Sequence, residues 1–424
     1  VHTLEQDHVV QSLLFAGTEF GCYFSLNGGE EWTQLKSGMP AMAVRDMVIQ
    51  ERENDLVLAT FGRGFYILDD YTPLRELAQD MAIKESDAHI FDVPVAKMFS
   101  MTRGRYGQGS SYYTAKNPDF GAVISYYVKE VPQTLTKERR KSEKELFEAK
   151  KPIPQPTRDQ LRAEESEIAP YFVFTVYDDS GAAVRRITTG AKKGINRINW
   201  DLRYYYPRPV NVTNGKFNSS SMGGSGTLAM PGTYQVSLDM VVRGEVTRLA
   251  DPTAFRAEPL NLATWSDEKR EEMAMFRKKI TSLSRLFMGM DQKVKEELNR
   301  VVSLKQAALR TPAVDLSLQA RITDIEEELK DIHFVMHGPS SRASWEELPP
   351  MDMPLSRRIN VAVRTHWSNS AALNKTVKDQ YEILKEEFPP LVDRLNALDT
   401  EIRSIETVLE NAGAGWTPGR KIAL

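Results

Sequence analysis

The sequence predicts a multidomain chain, all-β first and all-α afterwards. Three observations carry that reading. Two N-terminal segments match without a gap at a period of 43 residues, each with several short strands. Residues 121–249 hold further short alternating segments separated by turn residues. From Trp265 onward the apolar residues step by three and four, the spacing of amphipathic helices.

Length and composition set the limits. A chain of 424 residues favours two to four domains. Its 55 basic and 58 acidic residues leave a net charge of −3, which supplies no electrostatic reason to expect nucleic acid or an anionic membrane as partner. No apolar run approaches the roughly 18–20 residues of a membrane span. Cys22 is the single cysteine, so an internal disulfide and a multi-thiolate metal site are excluded, and a buried apolar thiol is expected. The chain starts at Val1 inside a repeat. It therefore reads as the C-terminal portion of a longer protein, with any signal peptide upstream.

The repeat aligns Val1 with Val44, Leu13 with Leu56, Gly21 with Gly64 and Tyr23 with Tyr66. A period in the forties with several strands per repeat is the spacing of β-propeller blades. The first blade is predicted to have strands at 1–6, 13–18, 21–25 and 32–35, and the second at 44–49, 56–61 and 64–69. One blade buries neither face alone, so other blades are expected to precede these two.

Between the third and outer strands of the first blade stands SLNGGEEW (25–32). This octet resembles an Asp-box, S-x-D-x-G-x-x-W, with Asn27 in place of the usual Asp and Glu31 in place of the usual Thr. Gly28 and Gly29 allow the turn its backbone angles, Asn27 bonds to its own turn, and Trp32 is expected to plug it from below. Ser25, Asn27, Gly29 and Trp32 are thus read as structural, and Glu30 and Glu31 as solvated turn residues.

Loops after second strands and after outer strands share one propeller face, opposite the box. That places Glu19, Phe20, Arg45, Phe61 and Arg63, with the 39–45 segment, as ligand-face candidates for a sugar or a peptide. Ordinary polar contacts, Arg45 with Asp46 and Arg63 with Asp69, account for the same charges, and both readings stand. No catalytic residue is assigned.

Residues 73–120 read as a connector, with a short helix at 74–81, a strand at 89–93 and a Gly/Ser/Tyr-rich loop at 104–113. Residues 121–258 read as a small β-sandwich carrying a charged insertion at 132–170, an exposed helix followed by a linker with Pro152, Pro154 and Pro156. The turn YDDSG (177–181), GINRINWDLR (194–203) and PGTYQVSL (231–238) resemble the Ig-like domain of flagellar-hook-capping type. Asp178 and Asp179 fit a hairpin turn better than a calcium loop.

Residues 259–424 read as an antiparallel bundle of three or four helices. One helix is predicted over 355–387, and Pro389-Pro390 is predicted to separate it from the last. His333 and His337 stand at i, i+4, a zinc-competent spacing. The Glu of H-E-x-x-H is absent and no third ligand is evident, so a place near a helix C-terminus is the expected role and no metal or other cofactor is assigned. The methionines 273, 275, 288 and 290 are expected as core or interface filler.

Taken together, FAGTEFGCYFSLNGGEEW (15–32), AVRDMVIQ (43–50), NDLVLATFGRGFYILDD (54–70) and the two later parts resemble bacterial sortilin-like, BNR/Asp-box propeller repeat proteins. Many of these carry the label glycosyl hydrolase. Phe61 departs from the His that relatives place before Gly-Arg-Gly. The resemblance implies the end of an Asp-box β-propeller, an Ig-like β-sandwich and a C-terminal helical bundle. It implies a secreted, periplasmic or cell-surface protein that binds a protein or glycan at the propeller face and docks a protein through the bundle. Neither a nucleic-acid partner nor a membrane-spanning segment is expected. Two alternatives are a glycoside hydrolase of sialidase or xyloglucanase type with its carboxylates upstream, and a structural subunit of a cell-envelope complex.

Overall fold

Strands β1 (Thr3–Gln6), β2 (Leu14–Thr18), β3 (Gly21–Ser25) and β4 (Thr33–Gln34) form an antiparallel meander in the order β1-β2-β3-β4. Strands β5 (Val44–Gln50), β6 (Asp55–Thr60) and β7 (Gly64–Leu68) form a second one. The computed structural model describes residues 1–36, 38–99, 118–210, 217–220, 223–260, 267–339, 345–365 and 372–420. The loop expected at 104–113, Trp265 and parts of the 207–229 loop lie outside them.

The two meanders pack face to face. Period-2 alternation sends Leu13 and Phe15 from the first, and Leu56 and Leu58 from the second, into one core; Cys22 joins them, and an irregularity between Val44 and Asp46 turns both Val44 and Met47 the same way. The backbones come close at Gly17, where a Cβ would stand 2.6 Å from Thr3 Cγ2 and 3.0 Å from the Val44 carbonyl. Tyr71, just before helix α1 (Thr72–Gln79), and Leu74 and Leu77 within it cap this core.

Next come β8 (Ala88–Ile90), β9 (Ala96–Met98) and β10 (Ala122–Val128), then two short helices, α2 (Leu135–Glu148) and α3 (Arg158–Ser166). The charged insertion therefore holds two helices where one was expected. Thr157 starts the second with a capping box to Gln160, and Arg139 ties it to the first through Glu164 at 2.6 Å. Neither helix has a buried residue, in keeping with a solvated charged segment.

Strands β11 (Tyr171–Tyr177), β12 (Ala183–Gly190), β13 (Gly194–Trp200), β14 (Arg203–Tyr205), β15 (Ser225–Leu228), β16 (Gly232–Val242) and β17 (Glu245–Pro259) complete the β part. One sheet runs β13-β10-β8 and another β12-β11-β16-β17-β9, in which only the last pair is parallel. Aromatic rings join the two. Tyr126 of β10 lies 4.8 Å from Phe174 of β11, and Trp200 of β13 lies 4.9 Å from Tyr234 of β16.

The α part contains α4 (Asp267–Arg310), α5 (Leu318–His337), α6 (Leu355–Arg364) and α7 (Lys375–Asn411). The expected stripes meet in one core: Phe287 and Val294 of α4, Ile325 and Ile332 of α5, Leu395 and Ile402 of α7. Two expectations are corrected. The single helix over 355–387 is two helices, because Asn374 caps a new N-terminus by accepting from Val377 N–H at 2.9 Å. Pro389 and Pro390 do not end a helix; α7 passes through them. A proline in a helix interior costs roughly 3 kcal/mol. Burial of Leu384, Phe388, Leu391 and Leu395 along one stripe outweighs that local cost.

By contacts the chain divides into two compact units. One comprises residues 1–204, 217–222 and 231–260; the other comprises 205–216, 223–230 and 261–424. The layout is β first and helical last. Among the described residues no helix is long and apolar enough to cross a membrane.

Candidate functional site

The antiparallel meanders decide which loops are neighbours. The β2–β3 turn carries Glu19 and Phe20, and the β6–β7 turn carries Phe61 and Arg63. His2 enters β1 by donating its backbone N–H to Gly17 O at 2.7 Å, and Phe61 N–H bonds to Ala43 O at 2.9 Å, just ahead of Arg45 in β5. These residues therefore lie at the same strand ends.

Four of them touch. Glu19 Oε2 accepts from His2 Nε2 at 2.7 Å and lies 3.7 Å from Arg45 Nη1. Arg45 Nη1 stands 3.1 Å from the same His2 nitrogen, and its guanidinium lies 5.3 Å from the Phe61 ring centroid. The His2 hydrogen bond first, and then the Arg45 charge, hold the Glu19 carboxyl below the ordinary glutamate range. The cluster is open to solvent: Phe61 is 70% and the Glu19 side chain 56% exposed, and Phe20 beside Glu19 is exposed too. Arg63 is exposed on the same turn as Phe61, outside the contacts of the cluster.

Arg45 of the second meander thus pairs with His2 and Glu19 of the first. His2 was not among the sequence candidates. The repeat contained the signal, since a shift of 43 residues superposes His2 on Arg45. Equivalent positions on adjacent meanders are neighbours in space.

The SLNGGEEW turn lies at the opposite end of β3. Ser25 Oγ donates to Asn27 Oδ1 and accepts from Gly29 N–H, both at 2.9 Å, while Glu31 N–H donates to Asn27 Oδ1 at 2.9 Å. Gly29 sits at φ +98°, a left-handed angle that favours glycine. Trp32 departs from its expected place. It is 41% exposed, and its Nε1 donates to Gly29 O at 3.0 Å, so it lies on the surface of the turn.

That exposure belongs to a wider pattern. Leu4, Ala16 and Tyr23 lie side by side on the outer face of the first meander, since β1–β2–β3 register pairs Leu4 with Ala16 and Ala16 with Tyr23. With Val1, Phe20 and Trp32 they line a trough of about 500 Å³. On the second meander Val48, Val57 and Ile67 are in register across the outer face, with Val48 57% and Ile67 58% exposed. Both outer faces of the stacked pair are thus apolar and open.

The helical part holds charges that the stripes did not announce. Glu297 falls on the buried stripe of α4 between Val294 and Val301, fully enclosed. Both its oxygens accept from Arg300 Nη1, at 2.7 and 2.8 Å, and Arg300 Nη2 reaches Glu406 of α7 at 2.7 Å. Burial pulls the Asp399 carboxyl upward, but bonds from Arg403 and Lys293 outweigh it and hold it well below the usual range.

No protein-family profile matches this chain, and no characterised protein matches it in sequence.

Proposed function

We propose that this chain belongs to an exported bacterial β-propeller protein and works as a binding module for a protein or glycan. In this reading the two N-terminal meanders are successive propeller blades, the aromatic-cored sheets form an Ig-like sandwich, and the helices are a docking or assembly surface. The open apolar outer faces support the blade reading, because a blade buries both faces only between neighbours. The turn bonds of Ser25, Asn27 and Gly29 support an Asp-box role.

The observation that carries the binding reading is the His2–Glu19–Arg45–Phe61 cluster. Four separate chain segments bring a carboxylate, an imidazole, a guanidinium and an aromatic face to one exposed edge. Such a mixture suits a ligand with hydrogen-bonding groups and an apolar face, as in a sugar ring or an extended peptide.

Screening the full chain on a glycan array and on an immobilised peptide library tests the proposal and separates the two ligands. Arg45→Ala and Glu19→Gln are each expected to reduce the captured signal at least about tenfold, since each removes a charged hydrogen bond. Binding by the wild-type chain that ignores both substitutions would place the ligand elsewhere.

A further inference from the structure

We propose that Asp291 of α4 and His333 and His337 of α5 form a binding site for a divalent transition-metal ion of the zinc class. The inference is independent of the binding reading above. The sequence offered two histidines one helical turn apart and no third ligand. The fold supplies it from 42 positions before His333, because α4 and α5 pack side by side through Phe287, Met290, Ile332 and Met336.

The geometry is already close. One donor atom from each of the three residues lies within 4.8 Å of the others. Asp291 Oδ1 and His337 Nε2 are 2.7 Å apart, and the two imidazole centroids are 4.7 Å apart. Ligands about 2.0–2.1 Å from a tetrahedral zinc stand roughly 3.3 Å from one another. Small side-chain rotations therefore convert the Asp291–His337 hydrogen bond into two metal bonds, the ion taking the place of the shared proton.

The donor set selects the ion. Two imidazoles and one carboxylate suit zinc, cobalt or nickel, whereas calcium and magnesium demand more oxygen ligands. Lys295 donates to Asp291 Oδ2 at 2.6 Å, which turns Oδ1 toward the histidines. All three ligands are half-buried, so the ion has an entry path and a fourth position for water or a small ligand. His337 also lines a cavity of about 430 Å³ with Gly338, Pro354 and Arg357.

The full chain, stripped with a chelator, is titrated with Zn²⁺ against a chromophoric competitor and separately with Co²⁺. One ion per chain is expected, with the intense visible absorption of tetrahedral Co²⁺. His333→Gln and His337→Gln are each expected to weaken binding at least about tenfold, and His89→Gln to leave it unchanged. Should His337→Gln fail to fold, His333→Gln carries the test, because His333 lies outside the 2.7 Å bond between Asp291 and His337. Zn²⁺ should raise the Tm of the wild-type chain and not that of His333→Gln. Absence of stoichiometric binding, or binding equal in wild type and both histidine variants, overturns the proposal and leaves the cluster as an interhelical hydrogen bond.

Discussion

Asp7, in the loop that leaves β1, and Arg75, in α1, form a two-bonded ion pair across 68 residues of sequence, with Nη2 2.8 Å from Oδ1 and Nε 3.0 Å from Oδ2. The Asp7 side chain is fully enclosed. It also accepts from Tyr71 OH at 2.6 Å and from the backbone N–H groups of Val9 and Val10, and Arg75 bonds on to Asn54 at 2.9 Å. The pair fastens α1 across both meanders.

Breaking this pair leaves an uncompensated charge. Asp7→Ala is expected to cost about 3–5 kcal/mol, read as a lower urea midpoint. Burial pulls the Asp7 carboxyl upward, but the bonds from Arg75, Tyr71, Val10 and Val9 outweigh it and lower it from 3.8 to about 2. A depressed carboxylate stabilises the fold fully above its unfolded value. The contribution is therefore present above about pH 4 and lost as the pH falls toward 2. Denaturation midpoints taken across that window should fall for wild type and flatten for Asp7→Ala.

Cys22 lies between the meanders with its Sγ 3.8 Å from Met47 Sδ, and burial pushes its thiol up to about 12. At pH 8 the native thiol is both enclosed and protonated. Maleimide or iodoacetamide is expected to label it only after unfolding. Rapid labelling of the folded chain would show that the two meanders separate readily.

Glu297→Ala should cost about 1–3 kcal/mol, because Arg300 loses both bonds to Glu297 but keeps Glu406 at 2.7 Å and Asp399 at 3.3 Å. An enclosed pair is weakly screened, so the loss should persist in high salt. Urea titration at low and high ionic strength checks both points. A loss that vanishes with salt would mean that water reaches the pair.

Pro390→Ala removes the ring from the interior of α7 and restores a helix N–H. A gain of up to about 3 kcal/mol is expected, seen as a higher Tm of the full chain. A decrease would show that the helix core is built around the bend or rigidity that the proline imposes.

The strands and most helix positions were legible because side-chain period is a local property. The 43-residue repeat marked β2, β3, β5, β6 and β7, alternation marked β11, and three-four stepping marked α4 and α5. The repeat also placed Glu19, Arg45 and Phe61 at one set of strand ends. It did not pair them, since a charge says nothing about which opposite charge will reach it. His2 was overlooked for the same reason, although the repeat superposed it on Arg45.

The sequence by itself determined the β-then-α order, the 43-residue period and the turn formed by Ser25, Asn27 and Gly29, all set by interactions within a few residues or by periodicity. The tertiary structure alone decided that α7 would run through two prolines, that Glu297 would be buried, that Asp7 would meet Arg75, and that Asp291 would join His333 and His337. Each of those depends on a partner from a distant segment. Packing supplies that partner and, with it, the energy that overrides a local preference.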